Sequence, residues 1–308
     1  MTSPAAPSLP VLQPPGSSSL IDLVTLGPRI LYAVCRTIAA FLVFSITSIF
    51  YKNSCDPERL TNKKIPIILI HGSGSNQRQW DVFRRFLKNC GHVFSLNLNE
   101  KALVNDSKTM NEYAKERLAA KIDSLKKRYL EEAHVNLNEV ILVGHSMGGL
   151  VAGEYAVNCA SDVKVKAIIA LQTPWQGGSC LANLVYSPSN KPGGAFTSNN
   201  QMTKTLRAQV LKKHEDGDLQ LYTFSSTFDP FVRPSSSALP IPQENQMISK
   251  VHGHYSPMMD PWLARSIQDR WIVPLSSADL PTYSSSGSSS NIARAFCESS
   301  QPRAAASS

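Results

Sequence analysis

The sequence predicts an α/β protein with a doubly wound, mainly parallel sheet and helices on both of its faces. Two observations carry this prediction. Short continuous apolar runs recur along the chain, as expected for strands that are buried on both faces of a parallel sheet. Stretches of helical period stand between successive runs, so strand and helix alternate, as in doubly wound folds.

The strands are predicted from the apolar runs. The first is Ile65 to Ile70 (IPIILI), which is bounded by Lys64 and by a His-Gly pair and reads as a central strand. Four further strands are predicted at residues 93–98, 140–143, 165–171 and 219–224. Because the carboxyl ends of parallel strands share one edge of the sheet, we expect the catalytic loops there.

Three helices are predicted between these strands, at residues 81–88, 109–129 and 147–156. The second is the best supported, since Thr109 and Glu112 form a capping-box pattern. Its apolar residues then recur at helical spacing: Ala114, Leu118, Ile122, Leu125 and Tyr129. This pattern predicts a crossover helix with one face on the sheet.

The two ends of the chain differ in composition from the middle. We predict a disordered lead-in at residues 1–29, one α/β domain at residues 62–276, and a disordered Ser-rich tail at residues 277–308. Residues 30–51 form an apolar run whose single charge is Arg36. That run is long enough to cross a bilayer, so it predicts an N-terminal membrane anchor. An amphipathic or buried helix that packs on the domain is one alternative, and a cleaved signal peptide is a weaker one.

The chain has 308 residues and a formal net charge of +8, with much of the excess between Lys101 and Arg128. A basic helix face there is either solvated or in contact with anionic lipid head groups. The sequence has no zinc-finger spacing, no Walker loop and no interleaving of basic and aromatic residues, so we expect no nucleic-acid partner. We also expect no metal and no organic cofactor.

A G-x-S-x-G motif, Gly144 to Gly148, follows the third predicted strand and precedes a predicted helix. A nucleophile elbow needs this strand–turn–helix context, with small residues two positions before and two after the nucleophile. Gly144 and Gly148 meet that need, so Ser146 is predicted to be the nucleophile. We expect His145 to pack beside the serine without deprotonating it.

The oxyanion of a tetrahedral intermediate needs two preset N–H donors. The first is predicted to be the backbone N–H of Met147, the residue after the nucleophile. The second is predicted from the loop that ends the first strand, at Ser73, with Gly74 as the alternative. His71 is expected to hold this loop by hydrogen bonds.

A serine nucleophile needs an imidazole base and a carboxylate that fixes the imidazole tautomer, in the chain order serine, acid, histidine. Asp229 follows the strand at 219–224 and is predicted to be the acid, although capping of a turn before Pro230 is the alternative. His254 is predicted to be the base, because it precedes the start of the final helix. His252 is the alternative base.

IPIILIHGSGSNQRQW, ILVGHSMGGL, LQTPWQGG and the late Gly-His pair together resemble lipases and esterases of the α/β-hydrolase superfamily. They also resemble the related alpha/beta domain of glycosylphosphatidylinositol inositol-deacylases. The resemblance implies the α/β-hydrolase fold, a small cap or lid at about residues 175–216, and lipid or acyl esters as substrates. Within the lid segment, LANLVY and TLRAQVL are possible lid helices.

The sequence therefore predicts a membrane-associated serine carboxylester hydrolase that works through an acyl-enzyme on Ser146. An acyltransferase or thioesterase with the same triad is one alternative, because an alcohol can resolve an acyl-enzyme as water does. A catalytically silent binding protein of the same fold is the other.

Overall fold

The computed structural model describes residues 27–28, 30–39, 42, 56–57, 59–60, 65–98, 108–159, 162–179 and 201–277. In this part of the chain, six strands form one sheet in the order β2-β1-β3-β4-β5-β6, and every neighbouring pair is parallel. The strands are β1 (Ile67–Ile70), β2 (Val93–Leu96), β3 (Glu139–His145), β4 (Lys164–Leu171), β5 (Gln220–Ser226) and β6 (Gln246–Ser249). The predicted parallel α/β architecture is confirmed.

The helices between the strands make the crossovers that parallel pairing requires. They are α1 (Asp81–Leu87), α2, α3 (Met147–Asn158) and α4 (Gln201–Glu215), whereas α5 (Pro261–Ile267) follows the last strand, β6. Helix α2 begins at Met110–Tyr113, widens into a π-type segment at Ala114–Leu118 and continues as Ala119–Ala133. The predicted capping box is present at its start, where Thr109 accepts from the Glu112 N–H and the Glu112 carboxylate accepts from the Thr109 N–H.

Two hydrophobic clusters cover the two faces of the sheet. On one face, Ile68 and Ile70 of β1 pack with apolar residues of α2, α3 and α4. On the other face, Ile67 and Leu69 pack with apolar residues of α1 and α5. Alternate residues of β1 thus face opposite layers, and all four are fully buried. This is the double burial that the continuous apolar run predicts.

Strand β6 is one element that the sequence analysis does not predict. It is short, lies at the edge of the sheet, and has Ile248 largely exposed. A strand at the edge of a sheet has a neighbour on one side only and is partly exposed, so it needs no continuous apolar run. The sequence of β6, QMIS, therefore carries no strong strand pattern.

The segment predicted as a lid is described only at residues 175–179 and 201–216. TLRAQVL, predicted as a possible lid helix, lies instead within α4, where Leu206 and Val210 are buried in the core beside α3. Apolar residues four positions apart lie on one face of a helix, and here that face packs into the core. LANLVY, at residues 181–186, lies outside the described residues, so a lid there remains a prediction.

Residues 30–39 are helical, and within this stretch Ala33 and Thr37 are buried while Leu31, Tyr32 and Ile38 are exposed. This described part of the predicted anchor is thus a helix packed through one face. No helix among the described residues is both long and apolar enough to cross a bilayer. Most of residues 40–51, nearly all of the predicted lead-in and the predicted Ser-rich tail after Ser277 lie outside the described residues.

Candidate active site

Ser146 occupies the sharp turn between β3 and α3. Its backbone has φ 52° and ψ −121°, in the positive-φ region that L-residues rarely adopt. The Ser146 N–H donates to the Leu171 carbonyl at the end of β4, at 2.8 Å, and the Ser146 carbonyl accepts from the Gly149 N–H at 3.1 Å. The strained conformation is therefore held from both sides, as a nucleophile elbow requires.

The two motif glycines allow this turn because there is no room for a side chain at either position. A Cβ atom at Gly144 would lie 2.4 Å from the Gly149 nitrogen. A Cβ atom at Gly148 would lie 2.2 Å from the Ile70 carbonyl oxygen. Both obstacles are backbone atoms, which cannot swing aside as a side chain can. The steric reason for these glycines is thus the one inferred from the motif.

Three predicted residues from distant parts of the chain meet at this turn. The His254 Nε2 atom lies 3.0 Å from the Ser146 Oγ atom, and the His254 Nδ1 atom lies 2.7 Å from the Asp229 Oδ2 atom. All three residues are buried. The arrangement can carry a proton from a hydroxyl to an imidazole whose other nitrogen donates to a carboxylate.

Asp229 lies in the loop after β5, at the edge of the sheet that also carries Ser146. Its second carboxylate oxygen, Oδ1, accepts from the Phe231 N–H at 2.8 Å and from the Val232 N–H at 2.9 Å. These bonds are those of a turn cap, the alternative role considered for this residue. The carboxylate caps the turn and faces the imidazole at once, because its two oxygens divide the two tasks.

His252, the alternative base, has other partners. Its Nε2 atom lies 2.7 Å from the Asp260 Oδ2 atom, and its Nδ1 atom lies 2.5 Å from the Ser249 hydroxyl. Asp260 also caps α5, since its Oδ1 atom accepts from the Trp262 N–H at 2.8 Å. The hydrogen bond to His252 lowers the pKa of the Asp260 carboxyl. His252 therefore joins the loop that carries His254 to the start of α5.

The loop that carries His254 is held by hydrogen bonds to its own backbone. The Gln172 side-chain amide donates to the Gly253 carbonyl at 2.7 Å, and the His145 Nε2 atom donates to the His254 carbonyl at 2.9 Å. The Gly253 N–H donates to the Ser256 hydroxyl at 2.9 Å. Each of these bonds holds the backbone at Gly253 or His254, and none of them involves an atom of the His254 imidazole.

Two further histidines near the site are buried, and burial favours the neutral form of each. Burial lowers the pKa of His145 well below its ordinary value, and the neighbouring His254 lowers it further. Burial also lowers the pKa of His71, whose Nε2 atom accepts from the Leu98 N–H at 2.9 Å and whose Nδ1 atom donates to the Gly72 carbonyl at 2.8 Å. His71 thus holds its loop by hydrogen bonds, as expected.

The loop predicted to supply an oxyanion donor lies against the elbow. A Cβ atom at Gly72 would lie 3.0 Å from the Ser146 Cβ atom, so the loop backbone passes directly beside Ser146. Ser73 is buried, and its carbonyl accepts from the Tyr255 hydroxyl at 2.9 Å. Met147 is the first residue of α3, where an N–H has no acceptor within its own helix.

Three residues that support the site are absent from the sequence predictions: Thr37, Gln172 and Tyr255. Gln172 has φ 50° and directly follows β4. Its position as a polar residue directly after a predicted strand is a signal that could have identified it. Thr37 and Tyr255 had no comparable signal, because their contacts join positions far apart in the chain.

Among the described residues, no group of three or more His, Cys, Asp or Glu side chains could hold a metal ion. A groove of about 800 Å³ runs along β6 and is lined by His252, Asp260 and Trp262, among others, but not by Ser146.

Comparison with known proteins gives one family match and several structural matches. Residues 61–184 match the family described as the PGAP1-like alpha/beta domain. A search of the curated proteins found no match. The fold is similar to that of the lipase BlEst2 from Bacillus licheniformis, with a TM-score of 0.53 and 20% identity for both the mature and the propeptide form.

The similarity covers 73% of this chain and 98% of the mature lipase, and 72% of this chain and 53% of the propeptide form. The chain thus spans about half the length of the propeptide form. An esterase from Thermogutta terrifontis with malate bound has 19% identity and a TM-score of 0.47, over 70% of this chain and 92% of that one. The family match covers residues 61–184, which is less than half of the chain, and the similarity to BlEst2 is a similarity of fold.

Proposed function

We propose that the protein is a serine carboxylester hydrolase with Ser146 as nucleophile, His254 as base and Asp229 as orienting acid. One observation carries the proposal. The hydroxyl of a serine in a strained elbow lies 3.0 Å from an imidazole nitrogen, and the other nitrogen lies 2.7 Å from a buried carboxylate. A structural serine has no need of this arrangement, whereas acyl transfer through a serine does.

In the first half of the reaction, the Ser146 Oγ atom attacks the ester carbonyl carbon while its proton passes to the His254 Nε2 atom. The tetrahedral intermediate carries negative charge on the former carbonyl oxygen. The backbone N–H groups of Met147 and Ser73 are the proposed donors to that oxygen, and each such donor contributes about 3 kcal/mol. When the intermediate collapses, the imidazolium gives its proton to the departing alcohol.

In the second half, water attacks the acyl group on Ser146, and His254 takes the proton of that water. The carboxylic acid leaves, and the proton returns to the serine oxygen. Asp229 stays ionised throughout, holds the Nδ1–H tautomer and stabilises the imidazolium. Because burial keeps the pKa of His145 low, the neighbouring imidazole adds no positive charge that would oppose protonation of the base.

The proposed substrates are lipid or acyl esters. The lipases of the superfamily motivate this choice, and the helix at residues 30–39 supports it. Leu31, Tyr32 and Ile38 are each more than half exposed there, although they are large and apolar. Exposed apolar side chains close together mark contact surfaces. We propose that this helix, within the apolar run of residues 30–51, holds the protein at a membrane surface.

A fluorophosphonate probe tests the hydrolase proposal. The purified protein should become labelled at Ser146 and should hydrolyse short p-nitrophenyl esters. Ser146→Ala should lose both properties with an almost unchanged melting temperature, because the side chain makes one described hydrogen bond, to His254. Ser124→Ala is the matched control, since Ser124 is exposed on α2, and it should retain both properties.

A folded wild-type protein that neither becomes labelled nor hydrolyses esters would contradict the proposal and leave the binding-protein alternative. Adding an alcohol acceptor distinguishes the acyltransferase. If transfer to the alcohol outruns hydrolysis at low acceptor concentration, the same triad serves acyl transfer.

A further inference from the structure

The helix at residues 30–39 contacts the loop that carries the base. Its buried residues, Ala33 and Thr37, are four positions apart and therefore lie on the same face. That face consists of small side chains, so the helix backbone can approach the loop closely. Residues on other sides of the same helix, such as Cys35, are exposed.

A hydrogen bond joins this face to the base itself. The His254 backbone N–H donates to the Thr37 Oγ1 atom at 3.0 Å, across 217 positions in the sequence. Thr37 is 6% exposed and His254 is 4% exposed. A buried N–H that loses its acceptor has no water at hand to replace it, so the loop would have to move to satisfy it.

The packing beside that bond leaves no spare room. A Cβ atom at Gly253 would lie 1.8 Å from the Thr37 Oγ1 atom and 2.6 Å from the Ala33 carbonyl oxygen. The residue before the base can thus only be glycine while the helix is seated. The hydrogen bond and the close approach are separate observations, and both place the helix against the base loop.

Thr37 completes a set of four bonds. The N–H and carbonyl of Gly253 and the carbonyl of His254 are bonded by Ser256, Gln172 and His145, which belong to the α/β domain. The fourth backbone group, the His254 N–H, is bonded by Thr37 from the N-terminal helix. The loop is therefore fully fixed only when that helix is in place.

We propose that Thr37 is a positioning residue for catalysis, which holds the His254 imidazole at reacting distance from Ser146. This inference rests on the proposed function of the triad. It gives the N-terminal helix a role in the chemical step itself, besides any contact with a membrane. Because a misplacement of about 1 Å can cost about 100-fold in rate, loss of one bond to the base loop should be measurable on a small soluble ester.

The test compares Thr37→Val with Thr37→Ser in the full chain, on p-nitrophenyl acetate without lipid. Valine keeps the shape of threonine but offers no acceptor, whereas serine keeps the acceptor. Thr37→Val should lower kcat by about 10- to 100-fold with KM changed by less than about threefold. Thr37→Ser should keep at least about a third of kcat, and Cys35→Ser, on an exposed side of the same helix, should match the wild type.

Each kcat is divided by the number of competent sites, counted from complete fluorophosphonate incorporation, so that partial unfolding is not read as slow chemistry. If Thr37→Val gives too little folded protein, Thr37→Ala takes its place in the comparison. A Val or Ala variant with wild-type kcat per site, or a Ser variant as slow as the Val variant, would overturn the inference. Absence of labelling in the wild type would instead overturn the proposed function.

Discussion

Replacing Asp229 with asparagine should remove almost all activity and leave the fold intact. The carboxylate is shared, with Oδ1 accepting from the Phe231 and Val232 N–H groups and Oδ2 facing the His254 Nδ1 atom. An asparagine side chain offers one oxygen and one NH2 group for these two places. Which way the amide turns therefore decides the tautomer of the base.

The two orientations of the amide differ in free energy. If the NH2 group faced the two backbone donors, both N–H groups would lose their acceptor, and the loss at the buried Val232 N–H alone costs about 1–3 kcal/mol. The amide oxygen should therefore stay on Phe231 and Val232, with the NH2 group pointing at His254. The His254 Nδ1 atom must then accept, so the proton sits on Nε2, where it blocks proton transfer from Ser146.

In the serine protease triad, the wrong tautomer lowers kcat by about 10⁴-fold, which corresponds to about 5 kcal/mol. The assay is hydrolysis of a short p-nitrophenyl ester by Asp229→Asn and by the control Asp216→Asn, whose carboxylate pairs with Lys212 at the surface. The melting temperature should change little in both variants. Asp229→Asn that kept more than about a tenth of wild-type kcat would refute the reasoning.

Two further predictions concern stability. Gly148→Ala should destabilise the fold by about 3 kcal/mol or more in urea unfolding, because its Cβ atom would meet the Ile70 carbonyl oxygen at 2.2 Å. Gly153→Ala, whose Cβ atom would meet only side chains at 3.1 Å or more, should cost less than about 1 kcal/mol, and equal losses would contradict this account. Asp260→Asn should be less stable than the wild type at pH 7. Since the bond to His252 lowers the pKa of the Asp260 carboxyl, this stabilisation is present above the ordinary pKa of 3.8 and is lost as the pH falls through the lowered one. The difference in urea midpoint should therefore shrink as the pH falls below 3.8, and a difference that grew in acid would be inconsistent with it.

The elements that the sequence predicts well are those with a local physical cause. The apolar run at Ile67–Ile70 predicts a doubly buried strand, and the capping box at Thr109 marks the start of a helix within a residue. The elbow is also local, since Gly144 and Gly148 are needed by the turn that contains them. Asp229 is predicted from its position after a strand, and His254 from its position before the final helix. In the structure, His254 lies within hydrogen-bonding distance of both Asp229 and Ser146.

The remaining features depend on contacts that no local pattern encodes. Helix α4 has the same apolar spacing as a lid helix, and only the tertiary structure shows that Leu206 and Val210 pack in the core. His252 and His254 are distinguished by the position of Asp260, which binds the first of them. The contact between Thr37 and His254 spans 217 positions, so no local sequence pattern around either residue predicts it.

The backbone of Ser146 has a thermodynamic consequence for the whole molecule. A non-glycine residue held at φ 52° costs about 1–3 kcal/mol, whereas a domain of ordinary stability has only about 5–15 kcal/mol in total. Backbone strain at the proposed nucleophile thus lowers the free energy of unfolding of the whole domain. Any destabilising substitution elsewhere in the elbow must fit within the free energy of unfolding that remains. The packing of the sheet beneath the elbow therefore limits which substitutions this site can accept.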